Sequence, residues 1–186
     1  MTEHRVCPWW LGFCLTCPLF RLGQNPHKIL APYVREGWTV LEPGPGMGFF
    51  TLELAQLVGP SGRVVAVDIQ PKMLDRLKRR ASRAGVAERV EARLGSAETM
   101  AIANLREKID FTLAFAVVHE IPDKGGFFSE VSEASKPGAL LLVAEPKGHV
   151  KDTNFDSELQ AASDAGFELV DRPKISRSRA ALLRKK

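Results

Sequence analysis

The sequence predicts an α/β fold in which a seven-stranded, mostly parallel sheet carries helices on both faces and closes with an antiparallel last strand. Three observations predict it. Short apolar, β-branched runs alternate with longer stretches whose apolar residues recur at helical spacing, the pattern of repeated strand–helix–strand units. Two of the runs, Ile109 to Val118 and Ala139 to Pro146, are apolar almost throughout, as strands covered on both faces are. The first run, Val40-Leu41-Glu42, empties into Pro43-Gly44-Pro45-Gly46-Met47-Gly48, a glycine-rich turn that leads into a helical pattern at Phe49, Phe50, Leu52, Leu54 and Leu57.

With 186 residues the chain fits one domain with a substantial core. Within it we separate an N-terminal helical or lid segment over 1–38 from a main unit over 39–186. Hydrophobic content of 45% and charged content of 26% exclude a disordered or fibrous chain. A formal charge of +4 does not by itself mark a nucleic-acid binder. Part of that excess sits in Arg172, Lys174, Arg177, Arg179, Arg184, Lys185 and Lys186, which read as a solvated end. All three cysteines, Cys7, Cys14 and Cys17, lie in the first 17 residues, against a secreted disulfide scaffold and for the reducing cytoplasm. The apolar run from Trp9 to Phe20 is too short for a membrane-spanning helix and lacks a small-x-small cleavage site, so neither a span nor export is expected. Trp9, Trp10 and Phe13 either roof a ligand site or simply pack on the domain.

Taken in order, Asn25-Pro26 opens a short helix with Ile29, Leu30, Tyr33 and Val34 on one side, and Gly37 ends it. The first strand starts near Thr39. Gly59-Pro60-Ser61-Gly62 stops the next helix and turns into a second strand that ends at Asp68. Pro71 suits the first turn of a helix striped by Met73, Leu74, Leu77, Ala81 and Ala84 and closed by Gly85. Its basic face, Arg76, Lys78, Arg79, Arg80 and Arg83, reads as solvated surface. Val90, Ala92 and Leu94 mark the third strand and Ile109 to Val118 the fourth. A helix around Phe127, Phe128 and Val131 ends at Lys136-Pro137-Gly138, and Ala139 to Pro146 is the fifth strand. Phe155, Leu159 and Ala162 mark a last helix before Gly166. Phe167 to Val170 and Ala180 to Leu183 are the final strands.

The glycines of the first turn have a physical use. They adopt backbone angles closed to other residues, and the missing Cβ lets a ligand lie against the main chain beside a helix N-terminus. A dinucleotide fingerprint would need its third glycine where Phe49 stands, so the NAD pattern fails. Asp68 follows the turn by the offset expected of an acid that grips a ribose, although it could instead cap the helix after it.

An acid followed by Gly44-x-Gly46-x-Gly48, with Asp68 ending the next strand, resembles the class I S-adenosylmethionine (SAM) methyltransferases. The resemblance spans roughly Thr39 to the C-terminus and implies a Rossmann-like fold with SAM as cofactor and S-adenosylhomocysteine as product. Cys7-Pro8-Trp9-Trp10, His119-Glu120-Ile121-Pro122-Asp123 and Ala144-Glu145-Pro146-Lys147-Gly148-His149-Val150 are similar to a small prokaryotic subgroup near the quinone-biosynthesis enzymes. The implied cofactor residues are Glu42, Gly44, Pro45, Gly46, Gly48, Asp68, Ile69, Ser96, Ala97 and Phe115. Glu42 would stand as counter-charge to the cationic methionine part, Asp68 would take the ribose hydroxyls and Ile69 would cover adenine. Ser96 occupies a place where relatives often carry an acid, so the adenine contact is the weak member of the set.

Methyl transfer is an in-line displacement at an activated carbon, so positioning supplies much of the acceleration, and a base is needed only if the acceptor must lose a proton. His119 is the candidate, since an imidazole titrates near neutrality, with Glu120, Glu145 and His149 as further candidates on the same sheet edge. The favoured alternative is that a histidine after strand four orients a loop or lines the acceptor pocket. The residues after strand four, Ala116-Val117-Val118-His119, lack the Pro-Pro-aromatic pattern of base-amine and glutamine methyltransferases and the Pro-Cys of cytosine enzymes. A small-molecule acceptor is therefore expected, with no DNA partner and RNA not the expected one. The rival is a SAM-binding or RNA-binding domain of this fold without turnover, using the basic C-terminal residues. His4, Cys7, Cys14 and Cys17 could close a zinc site or offer thiolates to a metalloid, as in arsenite-methylating relatives. Buried unligated thiols explain them as well, so no metal is expected.

Overall fold

The computed structural model describes residues 24–186. Trp9, Trp10, Phe13, the three cysteines and His4 lie outside the described residues. Asn25 accepts from Lys28 N at the start of α1 (Pro26–Leu30), an N-cap with proline in the first turn. The chain continues through β1 (Thr39–Pro43), α2 (Thr51–Leu57), β2 (Arg63–Asp68), α3 (Pro71–Arg83), β3 (Val90–Leu94) and β4 (Ile109–Phe115). It ends with α4 (Lys124–Ala134), β5 (Ser135–Pro146), α5 (Asp152–Asp164), β6 (Phe167–Asp171) and β7 (Ser178–Lys185).

The strands form one seven-stranded sheet in the order β3-β2-β1-β4-β5-β7-β6. β1 to β5 pair in parallel, and β7 runs antiparallel between β5 and β6. Alternation along β5 explains how both faces are covered. Leu141 and Val143 join the core under α4 and α5 with Phe128, Val131 and Phe155, while Leu142 and Ala144 join the opposite core with Leu30, Leu54 and Phe111. α1 thus belongs to the main core, with Leu30 wholly buried and Val34 nearly so. The order of connection reverses between β1 and β4. In open α/β sheets such a point opens a crevice at the carboxyl ends of the strands.

Three boundaries differ from the sequence reading. β4 stops at Phe115 rather than Val118, because Ala116 takes a left-handed conformation (φ 54°) and turns the chain into a short 3-10 turn over Val118–Glu120. β5 begins at Ser135, directly after α4, so Lys136-Pro137-Gly138 does not end the helix but bulges from the strand. Ile109 pairs with Ser135 and Phe111 already with Leu140. α2 begins at Thr51, two residues after the apolar pattern starts, since Met47 to Phe50 are still part of the turn.

Candidate active site

Two groups of residues meet the crevice at the strand ends. The first is built by β1, β2 and the glycine turn. Glu42, next to last in β1, is 3% exposed, and its Oε2 has no hydrogen-bond partner among the described residues. Burial pushes its carboxyl up to about 8; the nearby Thr51 opposes the rise without meeting hydrogen-bond geometry, and Asp68 adds to it. Asp68, at the end of β2, is 8% exposed and accepts from Gln70 N at 2.9 Å. Burial pushes it up to about 6 against the backbone N–H groups around it, and Glu120 adds a smaller upward push.

The three glycines of the turn differ in what they serve. A Cβ on Gly44 (φ 65°) would lie 2.6 Å from Val117 Cγ2, and one on Gly48 (φ 82°) 2.4 Å from Leu77 Cδ1. Both are therefore demanded by the protein's own packing. A Cβ on Gly46 (φ 53°) would meet nothing within 4 Å, so this glycine leaves open space in front of the main chain. Ile69, 40% exposed, lies beside Asp68 at the same edge. Phe115 is half-buried with its ring 4.4 Å from that of Phe50. Ala97 is exposed, and Ser96 is engaged locally, its Oγ accepting from Glu98 N and Thr99 N at 3.2 Å each. An unpaired buried carboxylate oxygen, an unfilled Cβ direction and a strand-end acid fit a ligand that brings a cation and a ribose.

The second group comes from β4, β5 and α5. Glu145 is fully buried at the end of β5. Its Oε1 accepts from Val117 N at 3.2 Å and Val118 N at 2.9 Å, and its Oε2 accepts from His119 Nδ1. That hydrogen bond is the largest reason the His119 imidazole titrates above its ordinary value, with burial opposing it and Glu145, Glu120 and Glu158 adding charge. His119 Nε2 is left facing Glu120 Oε1 at 4.0 Å, and the ring lies 6.4 Å from that of His149 at an interplanar angle of 15°. A carboxylate that anchors both a turn and one imidazole nitrogen leaves the other nitrogen aimed and able to accept a proton.

Glu158 was missed by sequence reasoning. It is 1% exposed on α5, with Oε2 unpartnered among the described residues. Burial pushes it up to about 7, helped by Glu145 and opposed by Lys124 and His119. A signal was present: Phe155, Leu159 and Ala162 make an apolar stripe, and Glu158 occupies its third-residue step, where an acid faces the core.

The sheet order, with its crevice and strand-end acid, defines an open α/β domain with a ligand site at the strand ends. Residues 35–176 match the methyltransferase domain family, and the chain belongs to it. An arsenite methyltransferase of Halobacterium salinarum is 31% identical over 150 residues, 79% of this chain and 37% of that protein. A ubiquinone/menaquinone biosynthesis C-methyltransferase of Klebsiella pneumoniae is 33% identical over 113 residues, 60% of this chain and 44% of that protein. The chain thus spans less than half the length of these curated relatives. A SAM-dependent methyltransferase from Aquifex aeolicus shares the fold, with a TM-score of 0.83 over 96% of this chain and 98% of that one at 23% identity. The resemblance read from Glu42 to Gly48 and Asp68 stands: this is a class I methyltransferase domain near the quinone-biosynthesis type, and its cofactor is SAM. Among the described residues no helix is long and apolar enough to cross a membrane.

Proposed function

We propose that the chain transfers a methyl group from SAM to a small-molecule acceptor and that His119 takes the proton the acceptor loses. The observation that carries this reading is the His119–Glu145 hydrogen bond at the carboxyl edge of the sheet, one strand from the glycine turn. Glu42, Pro45, Gly46, Asp68 and Ile69 would hold the cofactor: Gly46 by leaving room against the backbone, Asp68 by accepting from the ribose hydroxyls, Glu42 by offsetting positive charge. Bound there, SAM supplies a methyl carbon already activated by a sulfonium. Glu145 holds the imidazole in one orientation with the proton on Nδ1, and Nε2 accepts the proton of a hydroxyl, amine or thiol as its lone pair becomes the nucleophile. Glu120, beside Nε2, stabilises the imidazolium that results. The reading needs no nucleic acid and is consistent with the cytoplasmic setting the cysteines suggest.

The test is methyl transfer from labelled SAM across phenol, amine and thiol acceptors. His119→Ala should lower transfer to hydroxyl acceptors by about 10²–10⁴-fold while calorimetric SAM affinity stays unchanged. SAM binding with no transfer to any acceptor would overturn the reading in favour of a binding module. Equal rates for His119→Ala and the parent would remove the base.

A further inference from the structure

The basic C-terminal run does not remain one patch after folding. Arg184 pairs with Glu168 at 3.8 Å and Lys185 donates to Ser132 Oγ, both toward the end of β7. Arg172, Lys174, Arg177 and Arg179 instead converge with Lys147 on a groove of about 810 Å³ between the start of α5 and the loop joining β6 to β7. Two of these cations are neutralised, Arg172 by Asp156 at 3.8 Å and Arg179 by Asp152. Lys147, Lys174 and Arg177 have no salt-bridge partner among the described residues. Phe155 and Ile175, 2% and 8% exposed, give the groove an apolar floor. Arg177 is itself held in a left-handed conformation (φ 59°), and its carbonyl accepts from Lys147 N at 3.0 Å, so a strained backbone ties the two cations together.

The groove adjoins the second site group. Lys147 is two residues from His149, a Cα separation of at most about 7 Å, and the His149 ring lies 6.4 Å from that of His119. The groove and the second site group thus share the end of β5, and an acceptor that bridges them has to span the turn between Lys147 and His149. The ends differ in sign: Glu120, Glu145 and Glu158 surround His119, while uncompensated cations line the groove. An anion would be repelled from the histidine and held in the groove. The volume falls in the range of small-molecule sites, roughly 300–1,000 Å³, and the lining sets five cations against two carboxylates, Asp152 and Asp156, a modest positive excess that suits a compact anion better than a polynucleotide strand.

We propose that this groove binds the anionic end of the methyl acceptor, a carboxylate or phosphate on an apolar body, and so sets the acceptor class as organic acids or phosphate esters. The inference rests on the methyl-transfer reading above for the acceptor's role, and on the groove's own chemistry for the anion. The test titrates the full chain, with S-adenosylhomocysteine present, with 4-hydroxybenzoate, its neutral counterpart 4-hydroxybenzamide, inorganic phosphate and a single-stranded RNA oligonucleotide. Calorimetry should show that at least one of benzoate and phosphate binds, that benzoate, if bound, binds at least tenfold tighter than the amide, and that added salt weakens binding. Benzoate binding identifies the carboxylate, phosphate binding alone the phosphate ester. The double variant Lys174→Gln/Arg177→Gly should lose at least tenfold in that affinity; glycine suits the backbone at 177, so the fold is kept, and unchanged SAM affinity checks it. Equal affinity for benzoate and benzamide, no loss in the variant, or binding of RNA but of neither small anion would overturn the groove assignment. Binding of the anion with no methyl transfer to any anionic acceptor, while a neutral one is methylated, would overturn its role as acceptor site. Absence of transfer to every acceptor would overturn the methyl-transfer reading, and the acceptor role with it, while the anion titration would still report the groove separately.

Discussion

The two halves of the crevice are built differently. The half between β1 and β2 is made by one contiguous stretch: a glycine turn with a buried carboxylate before it and a strand-end acid after it, 27 residues from Glu42 to Asp68. The half around β4 and β5 is made by side chains from three separated elements, His119 in a 3-10 turn, Glu145 on β5 and Glu158 on α5. A backbone site needs particular conformations at fixed spacing and so leaves a contiguous motif. A side-chain site needs only that its members arrive together, which the sheet order arranges.

The comparison can be broken most forcefully at Glu145. Replacement by alanine removes the acceptor of the buried Val118 N–H and the half-buried Val117 N–H and the partner of His119, and should destabilise the fold by about 3–5 kcal/mol in chemical denaturation. Glu145→Gln keeps an oxygen for Val117 N and Val118 N, so it should recover most of that stability. Without the carboxylate the imidazole loses the interaction that raises it, so the pH at which transfer switches on should fall. A base must be neutral to act, so transfer rises with pH in both proteins. An unmoved pH limb in Glu145→Gln would mean that His119 is not the titrating group.

The glycines sharpen the same contrast within the cofactor half. Gly44→Ala places a methyl 2.6 Å from Val117 at positive φ and should cost about 2–4 kcal/mol of stability. Gly46→Ala meets no protein atom and should cost only about 1–2 kcal/mol from its backbone angle, while SAM affinity falls at least tenfold. Thermal unfolding and calorimetry separate the two. Normal SAM binding by Gly46→Ala would move the cofactor off this turn.

The smallest expected effect is one of pH. Burial raises the Asp68 and Glu42 carboxyls above their ordinary values of 3.8 and 4.5, to about 6 and about 8. Each therefore supports the unliganded fold fully only below its ordinary value, and that support is lost as pH rises through 6 and then 8. A ligand that donates ribose hydroxyls to Asp68 and sets a cation beside Glu42 favours both ionised forms and reverses the loss. The rise in melting temperature caused by SAM should thus be larger at pH 8 than at pH 5.5, and Asp68→Asn should flatten the lower part of that trend. A rise independent of pH would show that neither the ribose contact at Asp68 nor the cation at Glu42 favours the ionised carboxyl.

From the sequence alone came the α/β class, the seven strands, the antiparallel last strand and the first half of the crevice. Each is written in local periodicity or in residues whose backbone angles are rare, and these act within a few positions. The early end of β4 was hidden because Ala116 carries no mark of its left-handed conformation, and the bulge at Lys136 to Gly138 reads locally like a helix end. Only the tertiary structure decided that Gly44 and Gly48 serve packing while Gly46 leaves open space, since that depends on Val117 and Leu77 arriving from elsewhere. Only it brought Glu145 under His119, buried Glu158 beside them and divided the basic terminal run between a groove and the end of β7. Charges and carboxylates carry no address in the chain; strand pairing supplies it, because parallel strands joined by helices bring residues far apart in sequence to one edge of the sheet.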